Sequence, residues 1–71
     1  MDDKNLEFVI FCIEGLSERL DRNAEDVYTL LKKDTDIIDN YIIPCYEALH
    51  SQSKKYIIDD LIEVLNMKGV L

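Results

Sequence analysis

The residues in this sequence that could carry out catalysis or bind a metal are few, and their spacing matches no familiar site. The chain has one histidine, His50, and two cysteines, Cys12 and Cys45, whose even count permits one disulfide. Cys45 and His50 do not have zinc-finger spacing, and there is no C-x-x-C motif. Neither cysteine has the cationic sequence neighbours typical of a reactive thiolate. The sequence therefore predicts two buried, reduced thiols and a structural role for His50 at a helix end.

The carboxylates do not form a recognisable site either. Asp34, Asp36 and Asp39 superficially suggest a calcium loop, but an EF-hand register beginning at Asp34 needs a glycine at position 39. Asp59 and Asp60 are adjacent, so on a helix their side chains point about 100° apart and do not form a dyad. Helix capping by Asp34 or Asp36 is expected instead. Because G-x-S-x-G and glycine-rich phosphate loops are also missing, we expect no catalytic residue, cofactor or metal.

The length and charge of the chain argue against further classes of function. The chain has 71 residues, a formal net charge of −7 and 48% hydrophobic residues, which suits one folded domain over residues 1–71. An acidic chain lacks the surplus of lysine and arginine that binds nucleic-acid phosphate or anionic lipid. These properties argue against a nucleic-acid binder, a polybasic membrane anchor and a large enzyme.

No targeting or membrane-spanning segment is expected. The acidic start, residues 1–4, does not resemble the basic region of a signal peptide. The longest apolar run, residues 8–13, is far shorter than the ~20 residues needed to cross a bilayer. Together with reduced cysteines, these features predict a cytoplasmic location.

Hydrophobic periodicity predicts an all-α domain, a compact bundle of four helices. A strand over residues 8–13 is the alternative, but the helical spacing continues well beyond that run. Pro44 lacks the N–H that a helix interior needs, so the third helix is expected to be kinked or split there. The predicted helices cover about residues 3–21, 24–33, 37–50 and 54–67.

Capping residues support these boundaries. Asn23 is a good N-cap for the second helix, and either Ser51 or Ser53 can cap the fourth. Gly69 is placed to end the fourth helix. Gly15, inside the first helix, is either a tolerated surface glycine or the place where the fourth helix or a second subunit comes close.

The apolar positions define a predicted core. On the first helix, the periodic stripe leaves Phe8, Phe11 and Cys12 projecting away from it. The predicted core residues are Val9, Ile10, Ile13, Leu16, Leu20, Val27, Leu30, Leu31, Ile38, Ile42, Leu49, Ile58, Leu61 and Leu65.

The chain has more apolar side chains than a core of this size can hold. Ile43 competes for the interior with several aromatic residues, and Met67 lies on the polar face of the last helix. Either irregular packing covers this surplus, or it forms a homodimer or partner surface. The residues predicted to contact a partner are Phe8, Phe11, Tyr46, Tyr56, Asp59, Asp60 and Glu63.

Several stretches occur in the order and spacing of a known pattern, namely residues 8–14 (FVIFCIE), 27–31 (VYTLL), 46–52 (YEALHSQ) and 56–60 (YIIDD). The chain resembles the small bacterial domain-of-unknown-function family number thirty-seven ninety-one, whose members read F-x-x-F-C-I-E, Y-x-x-L-H-T-Q and Y-I-x-x-D-I. Ser51 replaces the usual threonine and Leu61 the usual isoleucine. The resemblance implies no catalytic residue or cofactor. It also implies an accessory or antitoxin-like role, because members occur near genes for ADP-ribosyltransferase-like proteins.

Three function classes remain. The first is a non-catalytic protein-interaction module that forms a dimer or binds a partner encoded nearby. The alternative is an acidic inhibitor that occupies the basic cleft of a nucleic-acid enzyme or toxin, in which case binding would be salt-sensitive. A small hydrolase or thiol enzyme is the third and would need a reactive cysteine. Direct binding of nucleic acid, membrane or a small-molecule substrate is not expected.

Overall fold

Residues 2–71, which the computed structural model describes, form helices joined by short turns and contain no strand. The elements are α1 (Asp3–Leu20), α2 (Ala24–Thr29) with a π-helical continuation (Leu30–Asp34), a separate π-helical segment (Ile38–Ile42), α3 (Tyr46–Leu49) and α4 (Lys54–Met67). The all-helical prediction is confirmed. The predicted four-helix bundle is not, since this part of the chain has five helical segments when α2 and its continuation count as one.

Local capping sets the ends of the helices. Asn23 and Ser53 accept hydrogen bonds from the backbone N–H groups of Asp26 and Tyr56, at 2.8 and 3.1 Å, as N-caps do. Gly69 follows α4 with φ of 77°, a left-handed conformation that costs glycine little. These three predictions are confirmed.

A threonine connects the two π-helical segments. The Thr35 hydroxyl donates to the carbonyl of Leu30 at 2.8 Å and accepts from the N–H of Ile37 at 3.4 Å. A hydroxyl can donate and accept at once, whereas a carboxylate only accepts. Asp36 instead adopts a left-handed φ of 57°. No side-chain hydrogen bond caps the segment Ile38–Ile42, so the expected capping by Asp34 or Asp36 is wrong.

Pro44 lies in the turn between the π-helical segment Ile38–Ile42 and α3. Because proline has no N–H, it cannot donate the helical hydrogen bond that would reach back to Asn40. The next residue, Cys45, donates its N–H to the carbonyl of Tyr41 at 3.0 Å. Two short segments therefore stand where the sequence predicted one kinked or split third helix.

A single core of apolar side chains holds these elements together. Most of the predicted core residues belong to it, but Ile13 and Leu20 are only half-buried and Ile10 is exposed. The buried residues are Phe8, Val9, Cys12, Leu16, Val27, Leu30, Leu31, Ile37, Ile38, Ile42, Leu49, Ile57, Ile58, Leu61 and Leu65.

The buried face of α1 is rotated away from the predicted stripe. Phe8 and Cys12 point into the core, so the expectation that they project elsewhere is wrong, as is the burial of Ile10. Apolar side chains cover so much of α1 that hydrophobicity alone does not decide which arc turns inward. Gly15 decides it, because the missing side chain there admits Ile58 of α4. Of the two interpretations of Gly15, close approach by the fourth helix is confirmed.

Candidate protein-interaction surface

Two aromatic residues that were predicted to contact a partner pack within the protein. The ring of Phe8 meets that of Tyr46 edge-to-face, with centroids 5.3 Å apart. Tyr46 stacks on His50 at 4.4 Å, and Nδ1 of His50 lies 2.8 Å from the Tyr46 carbonyl oxygen. Phe8 is buried and Tyr46 half-buried, so this cluster joins α1 to α3. Phe8 is therefore not available to a partner.

Three of the other predicted contact residues are accessible. Phe11 is exposed, and its ring centroid lies 6.2 Å from that of Phe8. Tyr56 and Glu63 are exposed on α4. These residues remain available for contact with another protein.

Asp59 and Asp60 bind other elements of the same chain. Asp59 accepts hydrogen bonds from Lys55 at 2.6 Å and from Arg19 of α1 at 2.7 Å, and these bonds lower its pKa. Asp60 accepts a hydrogen bond from the Tyr41 hydroxyl, which, together with partial burial, raises the pKa of Tyr41. These carboxylates already have hydrogen-bond partners within the protein, so they are less free for a partner than the sequence indicates.

An apolar groove lies between α1 and α2. The α1–α2 groove, as we call it, is lined by Leu6, Ile10 and Ile13 of α1 and by Tyr28 of α2. Two concavities of about 480 and 270 Å³ share Ile10, Ile13 and Tyr28. Leu6, Ile10 and Tyr28 are 47%, 45% and 43% exposed. The groove is therefore open to solvent and mainly apolar, which is the character of a protein-binding surface.

One end of the α1–α2 groove is acidic. Glu14 and Glu25 line it from α1 and α2, and both are exposed. The ion pairs found within residues 2–71 involve neither carboxylate. At the other end, Lys32 donates to Asp39 at 2.6 Å, and this hydrogen bond raises the pKa of Lys32. The net electrostatic character of the rim is consequently negative.

A second groove, of about 470 Å³, lies between α1 and α4, and its cations already have partners. Its lining consists of Gly15, Glu18, Arg19, Lys54, Lys55 and Ile58. Arg19 and Lys55 form ion pairs with Asp59, and Nζ of Lys54 lies 3.4 Å from Oε1 of Glu18. Exposed ion pairs of this kind contribute little individually, but here they occupy the charges that an anionic ligand would need.

The sequence resemblance is settled by comparison with protein families. Residues 7–68 match the family described as a protein of unknown function, DUF3791. The chain belongs to DUF3791. No curated protein and no solved structure matches it.

The motifs that carry the DUF3791 resemblance lie in contact with one another. Phe8, from the first motif, packs on Tyr46 of the middle motif. Leu49 and Ile57, from the middle and last motifs, are both buried in the same core. In this DUF3791 member, many motif residues therefore stabilise the fold.

The two thiols of this DUF3791 member differ in burial. Cys12 is fully buried, and burial raises its pKa to about 12. Cys45 is half-buried, and both cysteines are free.

Residues 2–71 contain no group of three or more His, Cys, Asp or Glu side chains that could hold a metal ion. None of the helices described is long and apolar enough to cross a membrane.

Leu6, Ile10 and Tyr28 are not among the residues predicted to contact a partner. The signal for Leu6 and Ile10 in the sequence is the width of the apolar arc on α1, which exceeds what one small core can cover. Periodicity does not reveal which edge of that arc stays outside, because the answer depends on how α4 packs against Gly15.

Proposed function

We propose that this DUF3791 member is a non-catalytic protein-interaction module whose partner binds in the α1–α2 groove. The observation that carries the proposal is the exposure of Leu6, Ile10 and Tyr28 beside one another on two helices. The protein already buries fifteen hydrophobic residues elsewhere, so these three are not needed to complete the core. Grooves of this kind are typical of surfaces that bind other proteins.

The proposal allows either occupant inferred from the sequence, a second copy of the chain or a different protein. Phe11 and Tyr56 are exposed but do not line the groove, so we assign them a secondary role. Phe8 has no role in binding, because it is buried.

The acidic-inhibitor alternative has weaker support. It relies on the net charge of −7 and on the outer face of α4, where Glu63 is exposed. Asp59 and Asp60 on that face are already hydrogen-bonded within the protein. An inhibitor of a basic cleft would lose affinity when Glu63 is neutralised, whereas a partner of the α1–α2 groove would not.

Comparative capture from the native host tests the proposed function. Ile10→Asp places a charge in the groove without disturbing the core, because Ile10 is exposed. Met67→Asp is the matched control, since Met67 is 80% exposed and lines neither concavity of the groove. We expect bound protein, including a second differently tagged copy, to be retained by Met67→Asp and lost with Ile10→Asp. Equal capture by the two variants would contradict the proposal.

A further inference from the structure

We infer that the occupant of the α1–α2 groove is a basic amphipathic helix of another protein rather than a second copy of this chain. This inference rests on the proposed function, because it assumes that the groove is the binding surface. It adds the chemistry of the partner.

The shape of the groove fits one face of a helix. Leu6, Ile10 and Ile13 follow one another at helical spacing along α1, and Tyr28 stands opposite on α2. Positions 6 to 13 extend over about 10 Å, or two turns of a helix. A partner helix with apolar side chains at i, i+3 or i+4, and i+7 would present contacts over the same length.

The charge of the rim selects the flanking residues of that helix. Glu14 and Glu25 approach the groove from its two walls, and neither is engaged in the ion pairs of the described chain. Lysine or arginine beside the apolar face of the partner would meet these carboxylates. The single cation of the lining, Lys32, is already paired with Asp39 and would not repel such a partner.

The same charges disfavour a second copy. A two-fold dimer formed through this groove brings the same surface of each chain together. The second copy would offer Glu14 and Glu25 no cation except Lys32, which is already paired with Asp39. Each copy also carries a net charge of −7. Like charges that face each other across an interface weaken association, whereas opposite charges accelerate and strengthen it.

Peptide binding measured by fluorescence anisotropy tests the inference on the full chain. The probe is a labelled helical peptide with leucines on one face and lysines flanking them. One control peptide has the same composition with its leucines spread around the helix, and another has glutamate in place of lysine. We expect only the first peptide to bind, with an affinity that falls at least tenfold between low and high salt.

Variants of the protein locate the site. Ile10→Ala should weaken binding of the basic peptide about tenfold, as loss of a central apolar contact does. Combined Glu14→Gln and Glu25→Gln should weaken it and reduce its salt dependence. Combined Glu47→Gln and Glu63→Gln removes the same charge from two exposed positions outside the groove and should leave binding nearly unchanged.

Several results would overturn the inference. They are failure of the basic amphipathic peptide to bind, equal binding of the glutamate peptide, and equal weakening by the two pairs of charge variants. A homodimer in solution that Ile10→Asp dissociates would also overturn it while leaving the proposed function intact. The proposed function fails separately, if Ile10→Asp changes neither self-association nor capture of another protein.

Discussion

The side chain of Ile58 occupies the space that a side chain at Gly15 would need. A Cβ atom built on Gly15 would lie 2.6 Å from Cδ1 and 2.9 Å from Cγ1 of Ile58. Carbon atoms in contact are normally about 3.5–4.0 Å apart. The approach of α4 to α1 thus depends on the absence of a side chain at position 15. This packing turns Phe8 and Cys12 inward and leaves Ile10 in the α1–α2 groove.

Gly15→Ala should destabilise the protein. Overpacking against a buried side chain costs about 1–3 kcal/mol, and the better helix propensity of alanine returns about 1 kcal/mol. We therefore expect the free energy of unfolding to fall by about 1 kcal/mol, measured by urea denaturation. Ile58→Val supplies the control, because it removes Cδ1 and costs about 0.5–1.5 kcal/mol alone. The two changes combined should cost less than their sum, and strict additivity would contradict the contact.

Tyr41→Phe should lower the free energy of unfolding at neutral pH and change how that free energy depends on pH in the alkaline range. The hydrogen bond to Asp60 raises the pKa of Tyr41, so the folded state favours the protonated hydroxyl. This contribution is fully present below the ordinary tyrosine pKa of about 10 and is lost as pH rises through the folded-state pKa. We expect a loss of about 1 kcal/mol at pH 7 and a flatter decline above pH about 10. Urea titrations at several pH values measure both, with Tyr28→Phe as an exposed control that does not influence the pKa of Tyr41. An unchanged alkaline slope would argue against the bond.

Asp59→Asn should change how the free energy of unfolding depends on pH in the acidic range instead. Lys55 and Arg19 lower the pKa of Asp59, so its contribution is present above the ordinary aspartate pKa of about 3.9 and is lost as pH falls through the lower folded-state value. Removing the carboxylate should make stability less dependent on pH in this acidic range. Glu63→Gln is the control, because Glu63 is exposed and belongs to none of the ion pairs identified within residues 2–71. An NMR titration that finds an ordinary or raised pKa for Asp59 would contradict this account.

Local interactions made much of the fold predictable from the sequence. Asn23, Ser53 and Gly69 act within one turn of the helix that each of them borders, so their roles follow from neighbouring residues alone. The two hydrogen bonds of the Thr35 hydroxyl are also local. In the sequence, however, Asp34 and Asp36 look equally able to cap the next helix, and the left-handed backbone of Asp36 is seen only in the structure.

Non-local packing made the candidate site harder to predict. The rotation of α1 depends on Gly15 meeting Ile58, a residue far away in the sequence. Without that contact, Ile10 looks like a core residue and Phe8 like a surface residue, and both assignments are wrong. The acidic residues of α4 could be predicted from the sequence. Their hydrogen-bond partners could not, because a partner such as Tyr41 for Asp60 lies on a distant element.

The two cysteines should differ in reactivity towards a thiol reagent. Cys12 is fully buried with a pKa raised to about 12, whereas Cys45 is half-buried. We expect one thiol to react in the native protein and the second only as the protein unfolds. Cys45→Ser should abolish the faster reaction and leave the slower one. Rapid reaction of both thiols in the native state would contradict the burial of Cys12 and favour the thiol-enzyme hypothesis.

Photocrosslinking in the native host tests most directly whether the α1–α2 groove is the binding surface. A photoreactive amino acid is introduced in place of Ile10 in one variant and in place of Met67 in the other, both at exposed positions. We expect a crosslinked adduct with another protein chain from position 10 and none from position 67. Adducts from position 67 with none from position 10 would show that the partner binds elsewhere and that the α1–α2 groove is not the binding surface.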